Sequence, residues 1–217
     1  ATGNRSGNCL AFHPHNRNLM VIGNDQELAF FDLTQAQAGQ PLTQPQRIVR
    51  SGNVRAMAWN RAGDSLAMAG GNHLKICRFS GASWHFKGQL DIYSEFEEIT
   101  AIAFARNDST LAIGLGNGRF YLESIANLQQ SNYNPRPRAW LGAPITNIVI
   151  DHQSPAHYWI STQASVYLYV PLANSAGVYP LELYPGYFKR VTAISPDRKH
   201  LAVLTPDFKV LYFKLRR

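Results

Sequence analysis

The sequence has few of the residues that staple small disulfide-rich or metal-bound proteins. Its 217 residues include two cysteines, which excludes a disulfide framework and a cysteine-rich zinc site. Cys9 and Cys77 both lie in apolar segments typical of strands, where a small buried thiol is expected. The cysteines therefore favour a reducing compartment, and we expect the protein to be cytoplasmic.

Long apolar segments are also missing from the sequence. No apolar run approaches the roughly 20 residues of a membrane-spanning helix, and residues 1–5 lack the apolar core of a signal peptide. We therefore expect no membrane span. The first residue is not methionine, so we expect upstream segments of the same parent protein.

Charged residues make up only 16% of the chain, and basic residues outnumber acidic ones by 21 to 14. The formal net charge is +7 and the isoelectric point about 9.6. This balance permits an acidic partner without requiring one.

The chain consists of an internal repeat. Five similar segments start 45 to 47 residues apart, a period that matches four-stranded propeller blades. Each opens with an alternating strand, continues through a polar turn into a strand of small apolar residues, and turns tightly into a third strand. The small residues of the second strand allow neighbouring sheets to pack closely. The five segments are residues 7–33, 54–79, 99–125, 145–170 and 191–215.

A fourth, outer strand is expected after four of these segments. The candidates are residues 46–50, 84–93, 138–141 and 181–184, and the fifth segment stops before such a strand. The gaps rich in Gln, Asn, Pro and Gly indicate surface loops, among them residues 173–180. No segment shows the period of an amphipathic helix.

This pattern resembles the WD-repeat β-propeller family over nearly the whole chain. The Trp-Asp dipeptide of that family is represented only by Phe31-Asp32, and Glu123-Ser124 is one of the pairs that replace it elsewhere. The resemblance implies an all-β fold, a β-propeller of four-stranded antiparallel blades with about five blades visible. The last blade lacks its outer strand. The expected blades are residues 7–50, 54–93, 99–141, 145–184 and 191–217 of one domain, 1–217.

The way in which the ring closes has two interpretations. One is a compact five-bladed ring with an imperfect seam. The other is the C-terminal part of a longer propeller, seven-bladed, whose first blades lie upstream. The second is favoured because it accounts for the missing methionine and the missing closing strand together.

No motif in the sequence indicates a catalytic, metal-binding or phosphate-binding site. His13 and His15 have a metal-like spacing, but they fall in a polar turn and are expected to be solvated. Residues 114–118, Gly-Leu-Gly-Asn-Gly, lack the lysine and the following helix of a phosphate-binding loop and predict a hairpin turn. No nucleophile elbow is present. We therefore expect no enzyme activity, no catalytic residue, no metal and no cofactor.

Basic and aromatic residues occur side by side in two places, which are the candidate partner-binding residues. Positive charge next to aromatic rings is typical of single-stranded nucleic-acid binding, and such residues also anchor protein interfaces. The candidates are Arg136, Arg138 and Trp140, and Tyr187, Phe188, Lys189 and Arg190.

The favoured function is a non-catalytic protein-interaction scaffold or sensor domain of a larger protein, with its partners bound on the propeller faces. This rests on the resemblance, because a fold alone does not determine function. The alternative is a nucleic-acid-binding or ligand-sensing propeller of a signalling NTPase or protease. A propeller enzyme is the third and least favoured interpretation.

Overall fold

The structure is a computed structural model, and its described residues form strands almost throughout. It describes residues 7–40, 44–80, 85–93, 98–130, 132–151, 157–171, 176–181, 190–194, 200–204 and 210–214. The chain divides into two compact units, Ala1–Ile99 and Thr100–Arg217, and each is described by itself.

Unit 1 contains two four-stranded antiparallel sheets. Sheet 1 comprises β1 (Cys9–Phe12), β2 (Leu19–Gly23), β3 (Glu27–Asp32) and β4 (Arg47–Arg50), in that spatial order, with a short 3-10 turn at Leu33–Gln35. Sheet 2 comprises β5 (Ala56–Trp59), β6 (Ser65–Gly70), β7 (His73–Ser80) and β8 (His85–Tyr93). Each sheet is a meander in which consecutive strands are hydrogen-bonded neighbours.

Unit 2 contains three further meanders. Sheet 3 comprises β9 (Ile99–Phe104), β10 (Thr110–Leu115), β11 (Arg119–Ser124), the short helix α1 (Ile125–Leu128) and β12 (Ala139–Trp140). Sheet 4 comprises β13 (Ile145–Asp151), β14 (His157–Thr162), β15 (Val166–Pro171) and β16 (Ala176–Leu181). Sheet 5 has three described strands, β17 (Arg190–Ile194), β18 (His200–Leu204) and β19 (Val210–Lys214).

The alternation of side chains explains how sheet 1 packs on sheet 2. Successive residues of a strand point to opposite faces, and in β2 the buried positions are Leu19, Val21 and Gly23. One face of sheet 1 meets one face of sheet 2 in a continuous apolar core. Its buried members are Leu19, Val21, Leu28, Phe30, Val54, Leu66, Met68, Cys77 and Phe79.

Sheets 3 and 4 pack in the same way, and small residues hold them close together. Ala101 and Ala112 of sheet 3 lie in a shared core with Ile148 and Ile160 of sheet 4. A Cβ atom at Gly114 would lie 2.5 Å from Ile145 Cγ2. Glycine is therefore required at that position for the present spacing of the sheets, as the small-residue pattern of the second strands predicts.

Most predicted strands are confirmed, but the outer strand of sheet 4 was placed wrongly. It lies at Ala176–Leu181, within the segment that was expected to be a surface loop. Gly177 and Pro180 carried that loop signal. Pro180 is tolerated because β16 is an edge strand, where one missing N–H need not break the ladder. Gly177 leaves space for the ring of Tyr179, since a Cβ there would lie 2.5 Å from Tyr179 Cε2.

Candidate partner-binding site

The first group of predicted binding residues lies on the outer edge of sheet 3. β12 is the edge strand of that sheet, and it contains Trp140 as its second and last residue. Two backbone hydrogen bonds bracket it, from Arg138 N to Phe120 O at 2.7 Å and from Leu141 N to Gly118 O at 2.9 Å. This short strand is therefore fixed to β11 at both ends.

Trp140 is a large aromatic side chain exposed on this edge. Its side chain has 75% of its surface exposed, and its indole Nε1–H donates to the backbone oxygen of Asn117 at 3.2 Å. The hydrogen bond ties the ring to the hairpin turn between β10 and β11. This hydrogen bond orients the ring, and most of the residue remains exposed.

Three exposed arginines lie near Trp140 in the sheet or in the sequence. Arg119 is the Cα partner of Trp140 across the β11–β12 pair, so both side chains lie on the same face of sheet 3. Arg138 lies just before β12, two residues before Trp140. Arg119, Arg136 and Arg138 are all exposed. We call Arg119, Arg136, Arg138 and Trp140 the outer-strand patch.

The loop that carries Arg136 and Arg138 is anchored by a buried carboxylate. Glu123 of β11 is buried and accepts a hydrogen bond from the Tyr133 hydroxyl. This hydrogen bond raises the pKa of Tyr133, and the positive charge of Arg138 opposes that rise. Burial raises the pKa of Tyr169, and the positive charge of Arg138 partly opposes that rise. Arg136 and Arg138 therefore come shortly after a residue that is hydrogen-bonded to the sheet.

Backbone pairing is a poor way to bind at this edge. β12 is only two residues long, and Pro135 and Pro137, which lack an N–H, shortly precede it. Short edge strands and edge prolines are features that prevent the addition of another strand. This edge therefore offers its side chains, and not its backbone, as a binding surface.

The second group of predicted residues is not placed in the same way. Tyr187, Phe188 and Lys189 lie outside the described residues. Arg190 is the first residue of β17, and only its backbone is described. Arg119 and Glu123 complete the site at sheet 3 and were not predicted. Glu123 could have been noticed because it is an acidic residue within a mostly apolar predicted strand.

The expectation that His13 is solvated was wrong. Its side chain is 6% exposed and lies edge-on to the ring of Trp59, with 4.8 Å between the ring centroids. The backbone N–H groups of His15 and Asn16 donate to Nδ1 at 3.1 and 2.8 Å, which leaves the proton on Nε2 for the oxygen of Gly63 at 2.8 Å. His13 therefore joins the β1–β2 turn of sheet 1 to the β5–β6 turn of sheet 2.

The hydrogen bonds of His13 predict a loss of stability in mild acid. Burial lowers the pKa of His13 from its ordinary value of 6.5, and this outweighs the raising effect of the bond to Gly63. The neutral ring is favoured in the folded chain, so its stabilisation is complete above about pH 6.5 and is lost as the pH falls through the folded pKa. We expect the free energy of unfolding to decrease from pH 7.5 to 5.5 in urea titrations.

The His13→Asn variant tests this assignment. Asn60 occupies the equivalent turn position in sheet 2, where its Oδ1 accepts from Ser65 N at 3.0 Å. His13→Asn should be less stable at pH 7.5 and less sensitive to pH. The control His73→Asn, at an exposed histidine, should keep the pH dependence of the unsubstituted chain. An undiminished slope in His13→Asn would show that another group titrates.

The glycine-rich segment at residues 114–118 belongs to a hairpin, as the sequence predicted. Gly114 and Leu115 end β10, and residues 116–118 form the turn to β11, in which Asn117 Oδ1 accepts from Arg119 N at 3.1 Å. Within the described residues, no group of three or more His, Cys, Asp or Glu side chains could hold a metal ion. No helix in the described part of the chain is long and apolar enough to cross a membrane.

Comparison with solved structures identifies the fold. The chain is similar to the WD40 repeats of RRP9, with a TM-score of 0.71 and 12% sequence identity, over 100% of this chain and 62% of that one. It is also similar to U3-55K, with a TM-score of 0.67 and 12% identity, over 100% of this chain and 63% of the other. No protein-family model and no curated protein sequence matches.

The fold is therefore that of WD40-repeat β-propeller blades, as the repeat predicted. The sheets are its blades. Four blades have four antiparallel strands, and the fifth has three described strands. At 12% identity the likeness concerns the fold alone. The chain spans less than two thirds of the length of either solved chain.

Proposed function

We propose that this protein is a non-catalytic interaction scaffold that binds an acidic protein segment at the outer-strand patch. The observation that carries the proposal is Trp140, an exposed ring with one hydrogen bond to the backbone, which has Arg119 as its cross-strand partner and the exposed residues Arg136 and Arg138 shortly before it in the chain. Trp and Arg are the residues most enriched among interface hot spots. A ring that is already fixed loses little conformational freedom when a partner covers it.

The charge around Trp140 supports an acidic partner. Arg119, Arg136 and Arg138 are exposed, while Glu123 is buried and bonded to Tyr133. The patch is thus positive in a chain whose formal net charge is +7. Complementary charge raises the rate of encounter and selects against basic partners. In such a partner an apolar side chain would cover the Trp140 ring, and the neighbouring acidic side chains would pair with the arginines.

A protein segment fits this patch better than single-stranded nucleic acid does. Single strands bind across successive aromatic platforms, one for each stacked base. The outer-strand patch contains one exposed aromatic ring.

Both cysteines are thiols, Cys77 buried and Cys9 partly buried, which supports a reducing compartment such as the cytoplasm.

Binding of a defined acidic peptide tests the proposal. The probe is a fluorescein-labelled 12-residue peptide of Asp and Glu with two leucines, followed by fluorescence anisotropy. We expect Trp140→Ala to weaken binding by about 30-fold, the equivalent of about 2 kcal/mol for a hot-spot residue. Arg138→Ala should weaken it less and should also reduce its dependence on salt.

Tyr179→Ala is the matched control for this experiment. Tyr179 is also an exposed aromatic residue on an outer strand, β16 of sheet 4, but it is not part of the patch. Its loss should leave binding unchanged. Equal effects of Trp140→Ala and Tyr179→Ala would contradict the proposal. Tight, salt-sensitive binding of a 12-nucleotide oligo(dT) that requires Trp140, with no binding of the peptide, would favour the nucleic-acid alternative.

A further inference from the structure

The outer strand of sheet 2 has a free backbone edge. β8 is the last strand of that sheet, and no strand in the described part of the chain pairs with its far side. It is nine residues long and contains no proline, so each residue keeps its N–H group. About half of the N–H and C=O groups of an edge strand point away from its sheet, so β8 can accept a further strand.

The other described outer strands have features that prevent strand addition. β12 is two residues long, and β16 contains Pro180, which lacks an N–H. β4 has four residues and an arginine at each end. Antiparallel pairing of two β4 strands along their whole length would place Arg47 of one copy opposite Arg50 of the other, a repulsive arrangement. Among the four outer strands β4, β8, β12 and β16, β8 alone offers a long edge.

The sequence of β8 is complementary to itself when it is reversed. Two antiparallel copies with Gln89 opposite Gln89 place Lys87 of each copy opposite Asp91 of the other. Directly opposed residues of opposite charge attract each other across neighbouring strands. A slip of two residues brings the same backbone groups face to face again, but it would place Lys87 opposite Gln89 or Tyr93 and lose both charge pairs. The charges therefore specify one register.

Lys87 lies at a β-bulge, which limits the paired segment at one end. It is passed over in the β7–β8 pairing, between the partners of Arg78 and Phe79. Lysines and bulges protect a sheet edge against unrelated strands. Here both fall at one end of residues 87–91, and the lysine meets Asp91 of a second copy. The edge is thus selective for its own sequence.

We propose that two copies of this chain associate through antiparallel pairing of their β8 strands over residues 87–91, centred on Gln89. The dimer has a two-fold axis, the commonest symmetry of protein dimers. Its joined sheet contains the four strands of sheet 2 from each copy. Backbone hydrogen bonds supply the attraction, and the two Lys87–Asp91 pairs select the register and the partner. This association does not involve the outer-strand patch on sheet 3.

Charge reversal at the two ends of the paired segment tests the dimer and its register together. Sedimentation velocity is measured over a series of protein concentrations for the unsubstituted chain, for Lys87→Asp and for Asp91→Lys. Each substitution turns both charge pairs into like-charge pairs. We therefore expect each variant alone to associate at least about 10-fold more weakly than the unsubstituted chain. An equimolar mixture of the two variants regains both attractive pairs and should form a heterodimer about as stable as the original dimer.

Arg50→Asp is the matched control, because it also reverses one positive charge on an outer strand and lowers the net charge equally. It should leave the association unchanged. Circular dichroism and urea unfolding confirm that each variant is folded. This check is needed most for Asp91→Lys, since residue 91 is the Cα partner of Lys75 on β7.

Hydrogen exchange provides a measurement on the unsubstituted chain. The backbone amides of residues 87–91 should exchange about 10-fold more slowly at concentrations where the dimer prevails, while those of β4 keep their rates. A chain that stays monomeric at every concentration would overturn the proposal. A mixture of the two variants that associates no better than either alone would also overturn it, as would an effect of Arg50→Asp as large as that of Lys87→Asp.

Discussion

Phe120→Ala is expected to lower the free energy of unfolding by about 3 to 5 kcal/mol, the usual cost of removing a buried phenylalanine ring. Phe120 is fully buried between sheets 3 and 4. Its ring centroid lies 5.0 Å from that of Tyr169 and 6.0 Å from that of Tyr158. Alanine would leave a cavity that the two tyrosine rings, themselves fixed at 5.8 Å from each other, cannot fill. Urea denaturation followed by tryptophan fluorescence measures the change.

Phe12→Ala in the same 217-residue chain is the control for this substitution. It removes the same ring from an exposed position at the end of β1 in sheet 1, where little packing is lost. Its effect should be within about 0.5 kcal/mol of zero. Similar losses at Phe120 and Phe12 would mean that sheets 3 and 4 do not share a core around Phe120.

Gly63→Ala is expected to destabilise the chain by about 2 to 5 kcal/mol, because two costs combine. Gly63 has φ +76°, a left-handed conformation that costs an alanine roughly 1 to 2 kcal/mol. A Cβ at this position would also lie 2.5 Å from Nε2 of His13. The imidazole must then move away from Trp59 and from the oxygen to which it donates, and displacement of a packed side chain adds about 1 to 3 kcal/mol.

Gly52→Ala separates the two costs. Gly52 has φ +77°, and a Cβ there has no neighbour within 4 Å. It should therefore show the conformational cost alone, about 1 to 2 kcal/mol. Equal losses of stability for Gly63→Ala and Gly52→Ala in urea would show that His13 does not connect the two turns.

The strands could be predicted because their signals are local. β2 is Leu19–Gly23 and β15 begins at Val166, as the alternation and small-residue pattern indicated. The outer strands vary more because they lie at the sheet edge, where fewer contacts constrain the residue at each position. β16 contains both Gly177 and Pro180, so its composition indicates a loop although its backbone pairs with β15 along six residues.

The candidate site could be predicted only in part. Arg136, Arg138 and Trp140 are neighbours in sequence, and the structure places them together at the edge of sheet 3. Arg119 reaches the same patch through the register of β11 and β12, which a single sequence does not specify. The residues Tyr187, Phe188 and Lys189 remain a prediction.

The two turns joined by His13 illustrate a different limit. His13 and Gly63 are 50 residues apart, and the first lies in a turn whose composition is that of a solvated loop. Burial arises only because the equivalent turn of the next sheet covers the imidazole. A residue type that is usually exposed in turns therefore became part of the packing between two sheets.

The central claim is that sheets 1 and 2, and likewise sheets 3 and 4, pack face to face around a shared apolar core. A double-mutant cycle on Phe120 and Tyr169 tests it most directly. Phe120→Leu, Tyr169→Leu and the double variant are unfolded in urea, and their free energies give the coupling between the two rings. The stacked arrangement predicts a favourable coupling of about 0.5 to 1.5 kcal/mol, typical of an aromatic pair. A coupling of zero within error would contradict contact between these faces.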